Sequence, residues 1–211
     1  MIPRHISKSP LFRQGGYGIY DSLLSPTHMN ALLKEAIRQL PCATESSTRR
    51  SCAEEWRGGN PVRRFLSAPA GVVQDGFYLN RETEAFLETL LHCKPRPTGL
   101  RGTFTYYARP GDFIGIHRDV DACDLAVITC LSDSPPEDGN SNAGKMVFYP
   151  DRIDEPNSGL RRDPANGARL HRLLRGQTAI LLGGVIPHAV LPVAPAQVRV
   201  VSVLCYSVPG G

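Results

Sequence analysis

His117-Arg118-Asp119 sets an imidazole and a carboxylate two positions apart, and a second imidazole, His188, follows much later in the apolar run Val185 to Val193. Side chains two apart on a β-strand project to the same face, so His117 and Asp119 can reach one ion from one strand. Asp121 shares that parity but lies farther along, and Asp124 has the opposite parity. Two imidazoles and one carboxylate can hold one face of an octahedral Fe(II) and leave the opposite face open. The same donors also suit zinc. Taken singly, each residue has an ordinary explanation: a histidine hydrogen-bonded in a β-rich core, an aspartate capping a turn.

These side chains must be positioned by elements that the sequence also announces. Ser25 and Pro26 start a helix whose Met29, Leu32, Leu33, Ala36, Ile37 and Leu40 fall at helical spacing, and Pro41 ends it. A second amphipathic helix is expected after Asn80, with Phe86, Leu87, Leu90 and Leu91 on one face, stopping at Lys94-Pro95. Beyond residue 100 the pattern changes to short β-like runs: Gly102 to Tyr107, Phe113 to Asp119, Leu125 to Leu131, Lys145 to Tyr149, Thr178 to Leu182, Pro187 to Val193 and Val198 to Ser207. Turn residues such as Arg109-Pro110-Gly111-Asp112 and Gly183-Gly184 separate them.

Helices followed by many short strands predict a β-rich α+β fold, a jelly-roll core buttressed by the first helices. A single domain over 1–211 is expected, with residues 1–100 as helical support and substrate loop and 101–211 as the jelly roll. The arginine- and glycine-rich stretch from Arg49 to Gly71 reads as a long loop with room for a short strand, and Asp151 to Gly176 as an inserted loop. Trp56 and Arg57 in the first of these, with Arg118 between the two potential ligands, are the candidate substrate contacts. The competing account is a solvated excursion with Trp56 packed on the core.

Composition narrows the function classes. At 41% hydrophobic and 21% charged, the 211 residues describe an ordinary globular chain. The net charge of +4 is spread out rather than gathered in a stripe, so a nucleic-acid partner is not expected, whereas an anionic small substrate is compatible. No segment approaches membrane-spanning length and Met1 to Phe12 lack a long apolar stretch, so the expected location is cytoplasmic. The six cysteines form no C-x-x-C pair and several sit in apolar runs, which favours reduced, buried thiols over a disulfide framework.

Residues 102 to 206 resemble the catalytic core of the Fe(II)- and 2-oxoglutarate-dependent dioxygenases, in particular the prolyl-4-hydroxylase-like branch. The matching stretches are Tyr107-Ala108-Arg109-Pro110-Gly111, His117-Arg118-Asp119, the apolar run Gly176 to Leu182, and His188 to Val193 followed by Arg199. The resemblance implies a double-stranded β-helix (jelly-roll, cupin-like) fold, Fe(II) bound by His117, Asp119 and His188, and the far carboxylate of 2-oxoglutarate paired with Arg199. Tyr107 would support that carboxylate, although a strand aromatic packed in the core is an equal alternative. Arginine suits the anchoring task because its planar fork binds a carboxylate through two hydrogen bonds and stays charged when desolvated. Arg199 stands eleven positions after His188, about one more than usual in this family, and Ala194-Pro195-Ala196-Gln197 is the turn that must absorb the difference.

What the resemblance implies chemically is 2-oxoglutarate as cosubstrate, dioxygen as oxidant, and hydroxylation of an aliphatic carbon in a small metabolite, an amino-acid derivative or a peptide side chain. The carboxylate of Asp119 argues against the halogenating relatives, which carry a small residue there. Two rivals stand beside this reading. A nucleic-acid demethylase would use the same triad but needs a basic groove with stacking aromatics, of which Arg49, Arg50, Arg57, Arg63, Arg64 and Trp56 offer a faint version interrupted by Glu54 and Glu55. A non-oxidative jelly-roll metal protein, whether zinc hydrolase, isomerase or ligand-binding module, would need neither Tyr107 nor Arg199.

Overall fold

The computed structural model describes residues 6–21, 23–50, 55–58, 60–99, 102–134, 136, 139 and 141–209. Met1 to His5, Cys52 and Glu54 lie outside them. The helices are α1 (Pro10–Arg13), α2 (Pro26–Gln39), α3 (Val72–Tyr78), α4 (Arg81–Leu91) and α5 (Asn157–Arg162). The strands are β1 (Tyr17–Tyr20), β2 (Thr44–Thr48), β3 (Arg63–Pro69), β4 (Arg96–Pro97), β5 (Thr103–Tyr107), β6 (Phe113–His117), β7 (Leu125–Asp133), β8 (Met146–Phe148), β9 (Arg169–His171), β10 (Thr178–Leu181), β11 (His188–Val190) and β12 (Arg199–Ser207).

Both expected helices form with the caps their sequences specify. The Ser25 hydroxyl accepts from the His28 amide at the start of α2, and the Asn80 side chain accepts from the Glu82 amide at the start of α4. The buried face of α2 is narrower than the pattern suggested. Met29, Leu32 and Ala36 are buried, whereas Ile37 and Leu40 are exposed. Glu35 explains part of this, since it faces inward and its carboxylate accepts the Val73 and Gln74 amides, capping α3. A side chain on Gly71 would strike that carboxylate.

All strand pairs are antiparallel, in the order β1-β10-β7-β12-β5-β3-β6-β11-β8-β9, with β2 on β3 and β4 on β12. The sheet curls at β3, whose Arg63 and Arg64 pair with β6 while Leu66 to Pro69 pair with β5. Residues of β5, β7 and β12 thereby line the same cavity as residues of β6, β8 and β11, which is the jelly-roll arrangement. The helices pack outside it, with α2 against β7 and β3.

The strands begin earlier than expected. β1, β2, β3 and β4 come from the first hundred residues, and the stretch from Arg49 to Gly71 contributes the whole of β3 to the sheet. The segment Asp151 to Gly176 is likewise not bare loop: it holds α5 and β9, and β9 pairs with β8. Its strand was hidden because Arg169-Leu170-His171 is short and largely exposed.

The cysteine expectation fails at two positions. Cys123 and Cys205 form a disulfide, while Cys42, Cys93 and Cys130 are free thiols. A bridge between residues 82 positions apart depends on the fold bringing the turn after β6 to the end of β12, which no local spacing reports.

Candidate metal centre

His117 and His188 are direct cross-strand partners on β6 and β11. Their rings stand 4.3 Å apart, centroid to centroid, at 48°. The register then shifts, because Ile114 rather than Gly115 pairs with Val190. One extra residue in β6 is a bulge, and it reverses facing within the strand. Ile114 and His117 therefore both line the cavity, while Ile116 packs into a separate apolar cluster with Val147, Tyr149, Leu160 and Ala189.

β6 ends at His117, two residues short of the expected boundary, so Asp119 is placed by something other than strand parity. Its amide donates to the Gly183 carbonyl (2.8 Å), and its carboxylate lies against the Gly183 Cα. Asp119 Oδ1 lies 3.6 Å from Nε2 of each histidine. Donor atoms of the three residues fall within 4.8 Å of one another.

Each imidazole is fixed by its far nitrogen. His117 Nδ1 donates to the Gly115 carbonyl and His188 Nδ1 to the Ile186 carbonyl, both at 2.9 Å, which leaves the two Nε2 lone pairs turned to the centre. Burial, with His117 alongside, pulls the His188 pKa down to about 4 against the opposing influence of Asp119. Burial alone would raise the Asp119 pKa, but His188, His117 and Arg57 outweigh it and hold the carboxyl below its usual value. At neutral pH the site therefore presents a neutral His188 beside a carboxylate. Asp119 Oδ2 is buried and has no hydrogen-bond partner among the described residues. A carboxylate with one oxygen near two inward-turned imidazole nitrogens and the other without a partner suits a divalent transition metal.

A Cβ on Gly183 would sit 1.9 Å from Asp119 Oδ2. Gly183→Ala should therefore displace the carboxylate and weaken Fe(II) binding by about 10–100-fold, the range for lost support of a ligand. Calorimetric metal titration checks this, and an unchanged affinity would show that Asp119 is not a ligand.

The far wall of the cavity carries the second orphan. Arg199, at the start of β12, is 1% exposed, and neither Nη1 nor Nη2 has a partner among the described residues. Asp133, its register partner on β7, is already held by Arg172 Nη1 (2.7 Å) and Gln197 Nε2 (3.0 Å). Tyr107 pairs with Arg199 across β5 and β12, with the guanidinium carbon 5.8 Å from the ring centroid. Burial pushes the Tyr107 pKa up to about 12, so its hydroxyl remains a donor. Ala196 takes φ +60°, and the Gln197 side chain accepts the Ala194 amide.

The three proposed substrate contacts fall around the ligand turn. Arg118 lines the cavity beside His117 and Asp119 but is 3% exposed; its guanidinium donates to the carbonyls of Val185, Ile153 and Glu155 and to Asn157 Oδ1. It thus ties the α5 segment to the metal-side strand, and burial lowers its pKa to about 10. Arg57 donates to the carbonyls of Val120 and Asp121 and pairs with Asp124 at 2.8 Å. Trp56 is 51% exposed and rests against the Arg118 guanidinium at 5.4 Å. Asp121 and Asp124, the alternative carboxylates, are accounted for by Arg57.

The cavity between the triad and Arg199 measures about 450 Å³. Ile128, Met146, Val201 and Val203 give it apolar walls, and Ser46, Gly58, Arg63 and Val120 form its partly exposed rim.

A prolyl-4-hydroxylase from Pseudomonas putida superposes with a TM-score of 0.61 over 95% of this chain and 96% of its own, at 16% identity. The fold is that of the prolyl-4-hydroxylase-like oxygenases. The 2-oxoglutarate-dependent epimerase SnoN of nogalamycin biosynthesis shares this oxygenase fold, with a TM-score of 0.68, 16% identity and coverage of 92% of this chain and 77% of its own. HygX from Streptomyces hygroscopicus, solved with nickel, 2-oxoglutarate and hygromycin B, has it too, with a TM-score of 0.63, 9% identity and coverage of 99% and 88%. No family model and no curated protein matches the sequence. No helix of the described residues is long and apolar enough to cross a membrane.

Proposed function

We propose that the protein is an Fe(II)- and 2-oxoglutarate-dependent oxygenase that hydroxylates an aliphatic C–H of a small molecule or peptide side chain. One observation carries the reading: a single cavity holds two imidazoles and a carboxylate with one orphaned oxygen on one wall and an orphaned, buried guanidinium on the other. A non-oxidative metal protein has no use for the second of these, because a buried unpaired cation is costly unless a ligand compensates it.

When bound, iron and 2-oxoglutarate supply the oxidising chemistry, decarboxylation of the cosubstrate accompanying activation of dioxygen for attack on a C–H bond. The chain's own residues supply position and environment. His117, His188 and Asp119 would hold the metal through Nε2, Nε2 and a carboxylate oxygen. Arg199 would take the far carboxylate of the cosubstrate through its two free nitrogens, with the neutral Tyr107 hydroxyl as a further donor. Val201, Val203 and Ile128 keep water from the space between. The ligand turn is held by Arg57 and the strand behind it by Arg118, so that Trp56, resting on Arg118, stands near the substrate's approach.

Anaerobic addition of Fe(II) and 2-oxoglutarate is expected to give a weak visible charge-transfer band, and admission of air to give succinate. Neither band nor succinate would end the proposal.

A further inference from the structure

The rim of the cavity carries a cation that the iron and cosubstrate do not use. Arg63 opens β3 and pairs with Ile114 of β6. Strand alternation turns Arg63, Phe65 and Ser67 into the cavity. Nε of Arg63 donates to Ser46 Oγ (2.6 Å), and Nη1 donates to Asn60 Oδ1 and to the Pro61 carbonyl. Every one of these acceptors is neutral.

The arginines around it are balanced differently. Arg57 is paired with Asp121 and Asp124, Arg64 with Asp112, and Arg109 with Glu45. Among the described residues no carboxylate forms an ion pair with Arg63, and Asp119 is the one carboxylate in the cavity lining. Among the described residues Arg63 is thus held in place without being neutralised. A guanidinium whose rotamer is already fixed loses little further freedom on binding, and its strongest partner is an oxyanion. Ser46, also in the lining and in contact with Nε, can donate from its hydroxyl to the same group.

We infer that Arg63 receives an anionic group of the substrate, so that the molecule oxidised is a small carboxylate, sulfate or phosphate. This inference rests on the oxygenase reading above and names its substrate class. Arg199 cannot serve both needs, since it is buried on the far wall and its partner there would be the cosubstrate. Along β6 the register partner of Arg63 stands three residues from His117, about 10 Å at strand spacing. A small molecule bound by its anion at Arg63 can present a carbon to the metal side.

The test uses the full chain loaded anaerobically with Fe(II) and saturating 2-oxoglutarate, titrated calorimetrically with inorganic sulfate at low ionic strength. Wild type should bind one sulfate, Arg63→Gln should bind at least ten-fold more weakly, and Arg63→Lys should recover part of the loss. The charge-transfer band and the melting temperature of Arg63→Gln should match wild type. Should that variant fold poorly, Ser46→Ala, which releases Nε, should also weaken sulfate binding. No sulfate uptake by wild type, or equal uptake by wild type and Arg63→Gln, overturns the inference. Loss of the band in wild type would instead overturn the oxygenase reading, and the same sulfate comparison on metal-free protein would still decide the role of Arg63.

Discussion

Asp119→Ala is expected to lose Fe(II) affinity by more than about 100-fold, beyond the usual effect of removing an outer partner of a ligand, and to lose turnover with it. The stability of the metal-free protein should change little. One oxygen of the carboxylate is buried without a partner, which costs free energy, whereas His188, His117 and Arg57 favour its charged form. Alanine removes both effects, so the metal-free variant should melt close to the wild-type temperature. Metal at 100 times its dissociation constant should stabilise wild type by about 2.7 kcal/mol and the variant hardly at all. Thermal melts with and without Fe(II) under anaerobic conditions read both effects. Equal stabilisation of the two proteins by metal would mean that the ion binds elsewhere.

Arg199→Met separates cosubstrate from metal. Truncating one partner of a buried ion pair costs about 3–5 kcal/mol, on the order of 10²–10⁴-fold in affinity. Binding of 2-oxoglutarate to the metal-loaded protein should weaken by that factor, while affinity for Fe(II) alone stays within a few-fold of wild type. Methionine fills much of the same volume, so the walls formed by Tyr107 and Val201 remain in place. An unchanged 2-oxoglutarate affinity would show that the far carboxylate is anchored by another group.

The sequence made the triad readable because its residues are chemically distinctive and lie at the ends of apolar runs. Strand parity, however, is not what places Asp119. His117 ends its strand, and Asp119 is fixed by the amide bond to Gly183 and by the absence of a side chain there. The eleven-residue step to Arg199 runs through a turn with a left-handed Ala196 and the Gln197 cap, after which Arg199 stands in register with Tyr107.

Other features left weaker traces. β2 reads Thr-Glu-Ser-Ser-Thr and β3 begins with two arginines, so neither shows the alternation of a half-buried strand. The alternation is present but written in function: Arg63 faces the cavity, while Arg64 turns out to Asp112. The bulge in β6 had a possible signal in Gly115, whose Cβ would approach the Val62 carbonyl to 3.0 Å. Arg118 was legible only as a basic residue between ligands, since its partners lie in a segment that local pattern marked as loop.

The Cys123–Cys205 bond has a topological consequence for the site. It closes the chain into a covalent ring that contains His188 and Arg199, with His117 and Asp119 just outside its entry point. Residues 163–167, between α5 and β9, are exposed and carry none of the site's residues. A peptide bond cut there would divide the centre into one fragment with His117 and Asp119 and another with His188 and Arg199. Because Cys123 lies on the first and Cys205 on the second, an oxidised nicked chain would remain one molecule, and a reduced one would have only noncovalent contacts to keep its two half-sites together.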